Sequence, residues 1–288
     1  MRWLELFSGI GGAAAALGAR GEVVRAVDQS PYAGRVYRHN YDHPLESWNL
    51  AGVRKQQVAG ADGWWMSPPC QPFTVRGNQR DLDDPRCRPL LRLLTLLPEV
   101  APRALALENV ATFRTSRARR HLLEVLDAAG YHHRELDLCP TALGVPNRRR
   151  RYYLVASREP LPPHPEPEQV GRRLSAYLDA DPEPSLYVEE RLRQRYRHAL
   201  PVVDADDPTA VTYCYTSAYG RSPVHAGSYV RDAQGVRRLS PREILRLLHF
   251  PETYALPPGL ERARAWSLVG NSVSVAAVRH VLAPLLPR

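Results

Sequence analysis

The sequence predicts an α/β protein: a parallel sheet with helices on both faces, carrying a smaller inserted region. Three observations lead there. Short apolar runs alternate with amphipathic stretches through residues 1–157, the pattern of strands joined by crossover helices. Residues 159–167 then hold five prolines in nine positions, too many for a helix or an inner strand and suited to a linker. Beyond it the chain is polar and rich in turns until an apolar segment returns near the C-terminus. The length of 288 residues exceeds one typical domain of roughly 100–200 and falls short of two.

Taken in order, residues 3–7 read as a buried strand, followed by a glycine turn and an Ala-rich helix over Gly12–Leu17. A second strand covers Glu22–Val27, and Pro31 opens a second helix over 31–41, where a missing N–H and a preset φ suit the first helical turn. Residues 62–67 form another strand, 89–97 carry leucines at helical spacing, and 104–107 are again a strand. An amphipathic helix over 119–129 is stopped by Gly130, and strands over 133–138 and 152–156 close this part. Past the linker, 171–200 reads as helical and charged, and 204–238 as turn-rich with short β-like pieces at 210–213 and 228–230. Ser240-Pro241 starts a helix over 242–248, and the apolar helix over 273–286 is expected to pack back on the first part. The division expected is therefore 1–157 plus 240–288 for the main domain, 158–170 for the linker and 171–239 for the small domain.

Composition narrows the function classes. With 44% hydrophobic residues and a mean hydropathy of −0.39, the chain can bury a sizeable core. No run of about 18 apolar residues is evident, so no membrane span is expected. Glu5 and the Ser8–Gly12 turn interrupt any signal-peptide core, which places the N-terminus within the fold. The four cysteines at 70, 87, 139 and 214 include no Cys-x-x-Cys pair; this argues against a structural zinc and a disulfide scaffold, so no metal and a reducing, cytoplasmic setting are expected. The net charge is +9, and only Lys55 is lysine, leaving 38 arginines. A GC-biased genome accounts for arginine over lysine but not for the surplus, which points to a polyanionic partner.

Four segments carry candidate chemistry. Phe7-Ser8-Gly9-Ile10-Gly11-Gly12 follows a strand and opens a helix, where glycines let backbone N–H groups approach a ligand. It is not the Gly-x-Gly-x-x-Gly of a dinucleotide site. Asp28, 19 residues after Gly9, ends the next strand, where a carboxylate can accept from ribose hydroxyls; a tight turn and a helix cap explain the same residues structurally. Ser67-Pro68-Pro69-Cys70-Gln71-Pro72-Phe73 surrounds one cysteine with three prolines directly after a strand. A thiol held rigidly at the carboxyl edge of a sheet is placed as a nucleophile, whereas Cys87 and Cys139 lack such framing and read as packing. Glu108-Asn109-Val110 leaves an apolar strand, making Glu108 an acid of raised pKa, a helix cap or an ion-pair partner. Asn147-Arg148-Arg149-Arg150-Arg151 enters a strand, whose alternation would set Arg149 and Arg151 on one side and Arg148 and Arg150 on the other.

In this order, and followed by Gly270-Asn271-Ser272-Val273, these motifs resemble the cytosine-5 methyltransferases. The resemblance covers 3–157 and 240–286 almost continuously. It implies a Rossmann-like S-adenosylmethionine-dependent methyltransferase domain, with a target-recognition domain inserted before the C-terminal return. It implies Cys70 as the thiolate that attacks carbon 6 of cytosine, Glu108 as the acid at ring N3, and Arg149 and Arg151 as their support. Phe7, Gly9, Ile10, Gly11, Gly12, Asp28, Gln29, Asn49, Leu50, Ser67, Pro69, Asn271, Ser272 and Val273 would line the cofactor pocket. The target base must leave any stack to react.

Within the family, DNA is the default substrate, but three features resemble the tRNA-aspartate methylating branch. Residues 140–147 end in Asn147 where the DNA enzymes commonly have Gln. Ser67–Thr74 with Gly77 and Asp81 after it is similar as well. Cys214-Tyr215-Thr216-Ser217-Ala218-Tyr219-Gly220 is similar to the branch's Cys-Phe-Thr segment, with Tyr215 in place of Phe and the later Gly-Thr-Gly reduced to Ala226-Gly227. What this branch implies is methylation of an anticodon-loop cytosine, position 38 of the aspartate tRNA; DNA remains the alternative substrate, and a monomer is expected. Gln71, Arg76, Arg80, Cys214, Tyr215, Thr216 and Tyr219 would contact it, with Arg86 and Arg88 also beside the cysteine loop. About 80 residues of reader are few for two grooves of a duplex, and a loop cytosine is already partly unstacked.

Overall fold

The first strand, Arg2–Leu6 (β1), buries four of its five side chains, as a strand covered on both faces must. The computed structural model describes residues 1–74 and 80–287, and within them the chain forms two compact units. The first comprises Met1–Leu138, Arg150–Glu166 and Val278–Arg288; the second comprises Cys139–Arg149 and Pro167–Ala277.

In the first unit β1 is joined by Glu22–Val27 (β2), Leu45–Glu46 (β3), Gly63–Met66 (β4), Ala104–Val110 (β5) and His132–Leu138 (β6). After Asn147–Arg148 (β7), which lies in the second unit, Arg151–Ser157 (β8) completes the sheet. Its order is β3-β2-β1-β4-β5-β8-β6. Strands β1 to β5 pair in parallel, whereas β8 is antiparallel to both β5 and β6. The sequence pattern predicts parallel strands throughout. The exception follows from connectivity: a helix returns the chain between β5 and β6, but the excursion 139–150 brings β8 in from the opposite end.

Alternate residues explain the layers. Leu4 and Leu6, Trp64 and Met66, Leu105 and Leu107, and Tyr152 and Leu154 share one buried cluster, because side chains two apart lie on one face. Helices Arg88–Val100 (α4) and Arg117–Ala128 (α5) cover that face, contributing Leu90, Leu93, Leu94 and Leu97, and Leu122 and Leu126. Earlier in the chain, Gly12–Leu17 (α1) is buried along its whole length, and Pro31–Asn40 (α2) is capped by the Ser30 hydroxyl, which accepts from the Ala33 N–H. A one-turn helix, Lys55–Val58 (α3), lies between β3 and β4.

The second unit is irregular. Residues 171–200, read from the sequence as helical, hold only Glu190–Arg195 (α6) and single 3-10 turns at Leu174–Tyr177 and Pro184–Leu186. Pro182 and Pro184 remove donors there, and α6 has no buried residue to anchor a longer helix. Val202–Asp204 (β9), Tyr229–Asp232 (β11) and Gly235–Arg238 (β12) form a three-stranded sheet, while Thr212–Tyr213 (β10) pairs with β7. Residues 240–277, expected with the main domain, pack with this unit. Arg237 binds Glu243 in a fully buried ion pair, with nitrogen–oxygen distances of 3.0 and 2.9 Å. Glu243 lies in Pro241–Leu247 (α7), and from Arg262–Gly270 (α8) Trp266 Nε1 donates to the Leu239 carbonyl at 2.9 Å. The last helix is Val275–Leu282 (α9).

The apolar span 262–285 corrects an expectation. Its most apolar 18 residues reach a mean hydropathy of 1.3, enough by length and composition to cross a membrane. The chain breaks between α8 and α9, however, and 61% of that window is buried in the fold, as in core helices whose neighbours already cover them.

Candidate active site

In an open sheet of this kind ligands bind outside the carboxyl ends of the strands, where the strand order reverses. Here that point lies between β1 and β4, and both motif loops start there. Leu6 and Met66 are register partners, and just past them Ser67 Oγ donates to the Phe7 carbonyl at 2.9 Å. Ser67, expected against the cofactor, thus ties the two loops together.

The 7–12 turn is sharply folded. Phe7, Gly9 and Gly11 take φ of 58°, 54° and 87°. A Cβ on Gly11 would stand 2.3 Å from the Tyr41 ring, so only glycine fits there. The space beside Gly9 is open. Asp28 braces the turn, its carboxylate accepting from the Gly9 and Ser30 N–H groups at 2.8 Å each. Ile10 and Gly12 are buried, and Gln29 is exposed. Asn49 caps the following turn by accepting from the Ala51 N–H at 3.0 Å, and Leu50 lies in the core.

Beneath the turn lies a cluster that the sequence reading did not anticipate. Glu5 is 1% exposed and accepts from the Ala13 and Ala14 N–H groups at 3.1 and 3.3 Å and from the Tyr37 hydroxyl at 2.6 Å. Burial pushes its carboxyl up to about 7, despite the three hydrogen bonds that favour the carboxylate. The Tyr37 hydroxyl also meets His43 Nε2 at 2.5 Å, and burial holds that imidazole below its usual range. Tyr41 donates to the Gly11 carbonyl at 2.9 Å. The available signal was a glutamate within the apolar strand Trp-Leu-Glu-Leu.

The cysteine loop is held from the next strand. Asn109 Nδ2 donates to the Pro68 carbonyl at 3.1 Å, Thr112 Oγ1 to the Phe73 carbonyl at 2.7 Å, and the Phe73 and Phe113 rings pack edge to face. Cys70 and Pro69 are half-buried and Gln71 is exposed. Asn109 and Thr112 were given no role from sequence, although Asn109 sits inside the Glu-Asn-Val motif. Farther along, the Asp81 carboxylate caps α5, accepting from the Arg117 and Ala118 N–H groups. Arg86 forks onto the Asp84 carboxylate at 2.9 and 2.6 Å, which holds that carboxyl down to about 2. Arg80 and Arg88 are exposed, while Arg76 and Gly77 lie outside the described residues. Cys87 is buried, its thiol donating to the Asp81 carbonyl at 2.9 Å, and burial pushes it up to about 12.

Glu108 ends the apolar run of β5 and is 8% exposed. Arg151 Nε stands 3.2 Å from its Oε1, because Val110 and Arg151 are partners across β5 and β8. The expected strand alternation through 148–151 does not hold, since β7 ends at Arg148 and β8 begins at Arg151. Arg149 is instead buried in the second unit, its guanidinium donating to the carbonyls of Tyr215 (2.9 Å), Gly270 (3.3 Å) and Ser272.

In that unit Cys214 Sγ lies 3.1 Å from Arg149 Nη1. Tyr215 and Tyr219, expected at the substrate, are 2% and 1% exposed and stack edge to face in the core with Trp266 against Tyr219. Thr216 closes a turn by accepting from the Ala218 N–H at 3.3 Å. Asn271 is exposed, while Ser272 and Val273 are 9% and 8% exposed, in the link from α8 to α9.

S-adenosylmethionine fits the chemistry of the first-unit turn. The open space at Gly9, left-handed glycines that bring backbone close, and a buried Ser8 hydroxyl with no protein partner make a polar cradle at the switch point. The doubly wound sheet, with a proline-framed cysteine and a buried carboxylate on adjacent strand ends, defines a Rossmann-like methyltransferase. The profile of the C-5 cytosine-specific DNA methylases matches residues 1–178 and 187–286. A tRNA (cytosine(38)-C(5))-methyltransferase of Spodoptera frugiperda is 29% identical, with 97% of each chain covered. Among solved structures, the Dnmt2 methyltransferase of Schizosaccharomyces pombe superimposes with a TM-score of 0.87 at 28% identity, over 99% of each chain. The Entamoeba histolytica methyltransferase EhMeth shares the fold, with a TM-score of 0.92 at 24% identity over 99% of this chain and 98% of its own. This chain belongs to the C-5 cytosine-specific DNA methylase family, and it is an enzyme that methylates cytosine at carbon 5.

Proposed function

We propose that this chain is a tRNA methyltransferase acting on an anticodon-loop cytosine, position 38 of the aspartate tRNA, through a covalent adduct of Cys70. The observation that carries the chemistry is the tie between the two motif loops: Asn109, next to Glu108, holds the Pro68 carbonyl two residues before Cys70. Nucleophile and acid are thereby mounted on neighbouring strand ends of one rigid sheet, which keeps their mutual geometry from drifting. The choice of tRNA rests on the Cys-Tyr-Thr segment and Asn147, together with relatives named for cytosine 38 of tRNA.

Cytosine is a poor electrophile until its N3 is protonated. Glu108 supplies that proton while the Cys70 thiolate adds to carbon 6, leaving carbon 5 electron-rich. When bound, S-adenosylmethionine supplies the methyl group from its sulfonium. Water takes the carbon-5 proton, the freed bonding pair restores the double bond and expels Cys70 as thiolate, and the N3 proton returns to Glu108. Arg151 holds the Glu108 carboxyl in place, and the 7–12 turn, Asp28 and Gln29 would hold the cofactor.

The test is transfer of a labelled methyl group into total cellular nucleic acid, divided between RNase and DNase. Label removed by RNase alone supports the reading, and label removed only by DNase overturns the choice of substrate. Cys70→Ala should abolish transfer while cofactor binding survives; turnover by that variant would refute the adduct.

A further inference from the structure

We propose that Tyr213 and Arg148 form a stacking platform for one unpaired base of the RNA substrate. The inference rests on the reading that the substrate is an RNA loop. Among the described residues, only Tyr32 and Tyr213 are large hydrophobic residues left exposed, and Tyr213 is 51% exposed. Its one described ring partner is a cation, the Arg148 guanidinium carbon lying 5.8 Å from the ring centroid.

What distinguishes this tyrosine from incidental surface is its mount. Strands β7 and β10 are two residues each, with Asn147 opposite Thr212 and Arg148 opposite Tyr213. The inward pair is buried, Asn147 at 1% and Thr212 at 0%. Asn147 Nδ2 donates to Thr212 Oγ1 at 2.9 Å and to the Tyr213 carbonyl at 3.1 Å. On the other side, the Tyr213 N–H donates to Ser228 Oγ at 2.8 Å, and Ser228 is itself fully buried. With donor and acceptor of Tyr213 both engaged, pleat alternation forces its ring and the opposite Arg148 outward. The chain keeps a costly buried polar clamp, and the result is a fixed, exposed aromatic–guanidinium pair.

Such a pair suits a nucleobase with its attached phosphate. Every base offers a flat π-face to an aromatic ring, and a guanidinium can stack or take a phosphate bidentately. Because the ring is preset, little side-chain freedom is lost on binding. The pair sits one residue before Cys214 and one before Arg149, so it flanks the segment similar to the tRNA branch without belonging to it.

The experiment is anisotropy titration of a labelled, unmethylated aspartate-tRNA anticodon hairpin with the full chain, beside methyl transfer into the same RNA. Tyr213→Ala should weaken binding by about 5- to 150-fold, the range for loss of one stacked base. Tyr213→Phe and Tyr213→Trp should stay within about twofold of wild type, since stacking needs the ring and not the hydroxyl. Arg148→Ala should weaken binding and flatten its salt dependence. Unchanged affinity in Tyr213→Ala, or a Tyr213→Leu variant that binds like Phe, would overturn the platform. A wild-type chain that binds and methylates the hairpin while Tyr213→Ala matches it removes only the platform. A wild-type chain that neither binds nor methylates RNA removes the substrate reading with it.

Discussion

Replacing Glu5 by Gln isolates the buried proton beneath the 7–12 turn. Glu5 is 1% exposed, and its carboxyl stands near 7 in the fold against an ordinary 4.5. Between those values the native chain keeps a proton that the unfolded chain has lost, so stability falls as pH rises through the window. The contribution is complete below 4.5 and gone above about 7. At 1.36 kcal/mol per pH unit it amounts to about 3 kcal/mol. Glutamine stays neutral, still accepts from Ala13 and Ala14, and can donate to Tyr37. The tyrosine hydroxyl can then donate to His43, whose imidazole burial favours as neutral. Urea unfolding of both proteins from pH 4.5 to 8, followed by tryptophan fluorescence from Trp3, Trp64 and Trp65, measures the difference. Other titrating groups cancel between the two. Glu5→Gln should gain on wild type with rising pH, by up to about 3 kcal/mol at pH 8. A difference flat across that range would refute the buried proton.

Three further outcomes follow from named contacts. Glu108→Gln should slow methyl transfer by about 100-fold or more while cofactor binding persists, and wild-type single-turnover rates would remove Glu108 from the acid role. Glu135 takes a bidentate bond from Arg119 and a third from Tyr152, with Arg119 the main cause holding its carboxyl down to about 2. Its stabilisation is therefore present above 4.5 and lost as pH falls toward 2, so Glu135→Gln should cost about 1 kcal/mol at pH 7 and flatten the acid limb of a melting-temperature profile. Gly220 takes a φ of 82°, and a Cβ there would lie 2.1 Å from the Trp266 ring. Gly220→Ala should lose roughly 2–4 kcal/mol from backbone strain and overpacking, and a melting temperature within a degree of wild type would refute the contact.

The features legible in the sequence are local ones. The turn at 7–12 and the loop at 67–73 were legible because glycine and proline restrict φ wherever they occur, and each follows an apolar run that can only be a strand. Glu108 was legible for the same reason, as a carboxylate where such a run ends. Contacts between residues distant in the chain are set by folding and are not legible locally. Arg149 and Arg151 are two apart in sequence, yet one meets carbonyls of the second unit and the other meets Glu108, because the strand breaks between them. The charged stretch 171–200 had helical composition but no apolar stripe to pay for helix formation, and it stayed mostly irregular. Tyr215 and Tyr219, read as substrate contacts, are packed into a core whose partners lie up to about fifty residues away. The Glu5 cluster draws its partners from α1, α2 and His43. Its altered proton affinity exists only once those groups exclude water from one side of the sheet.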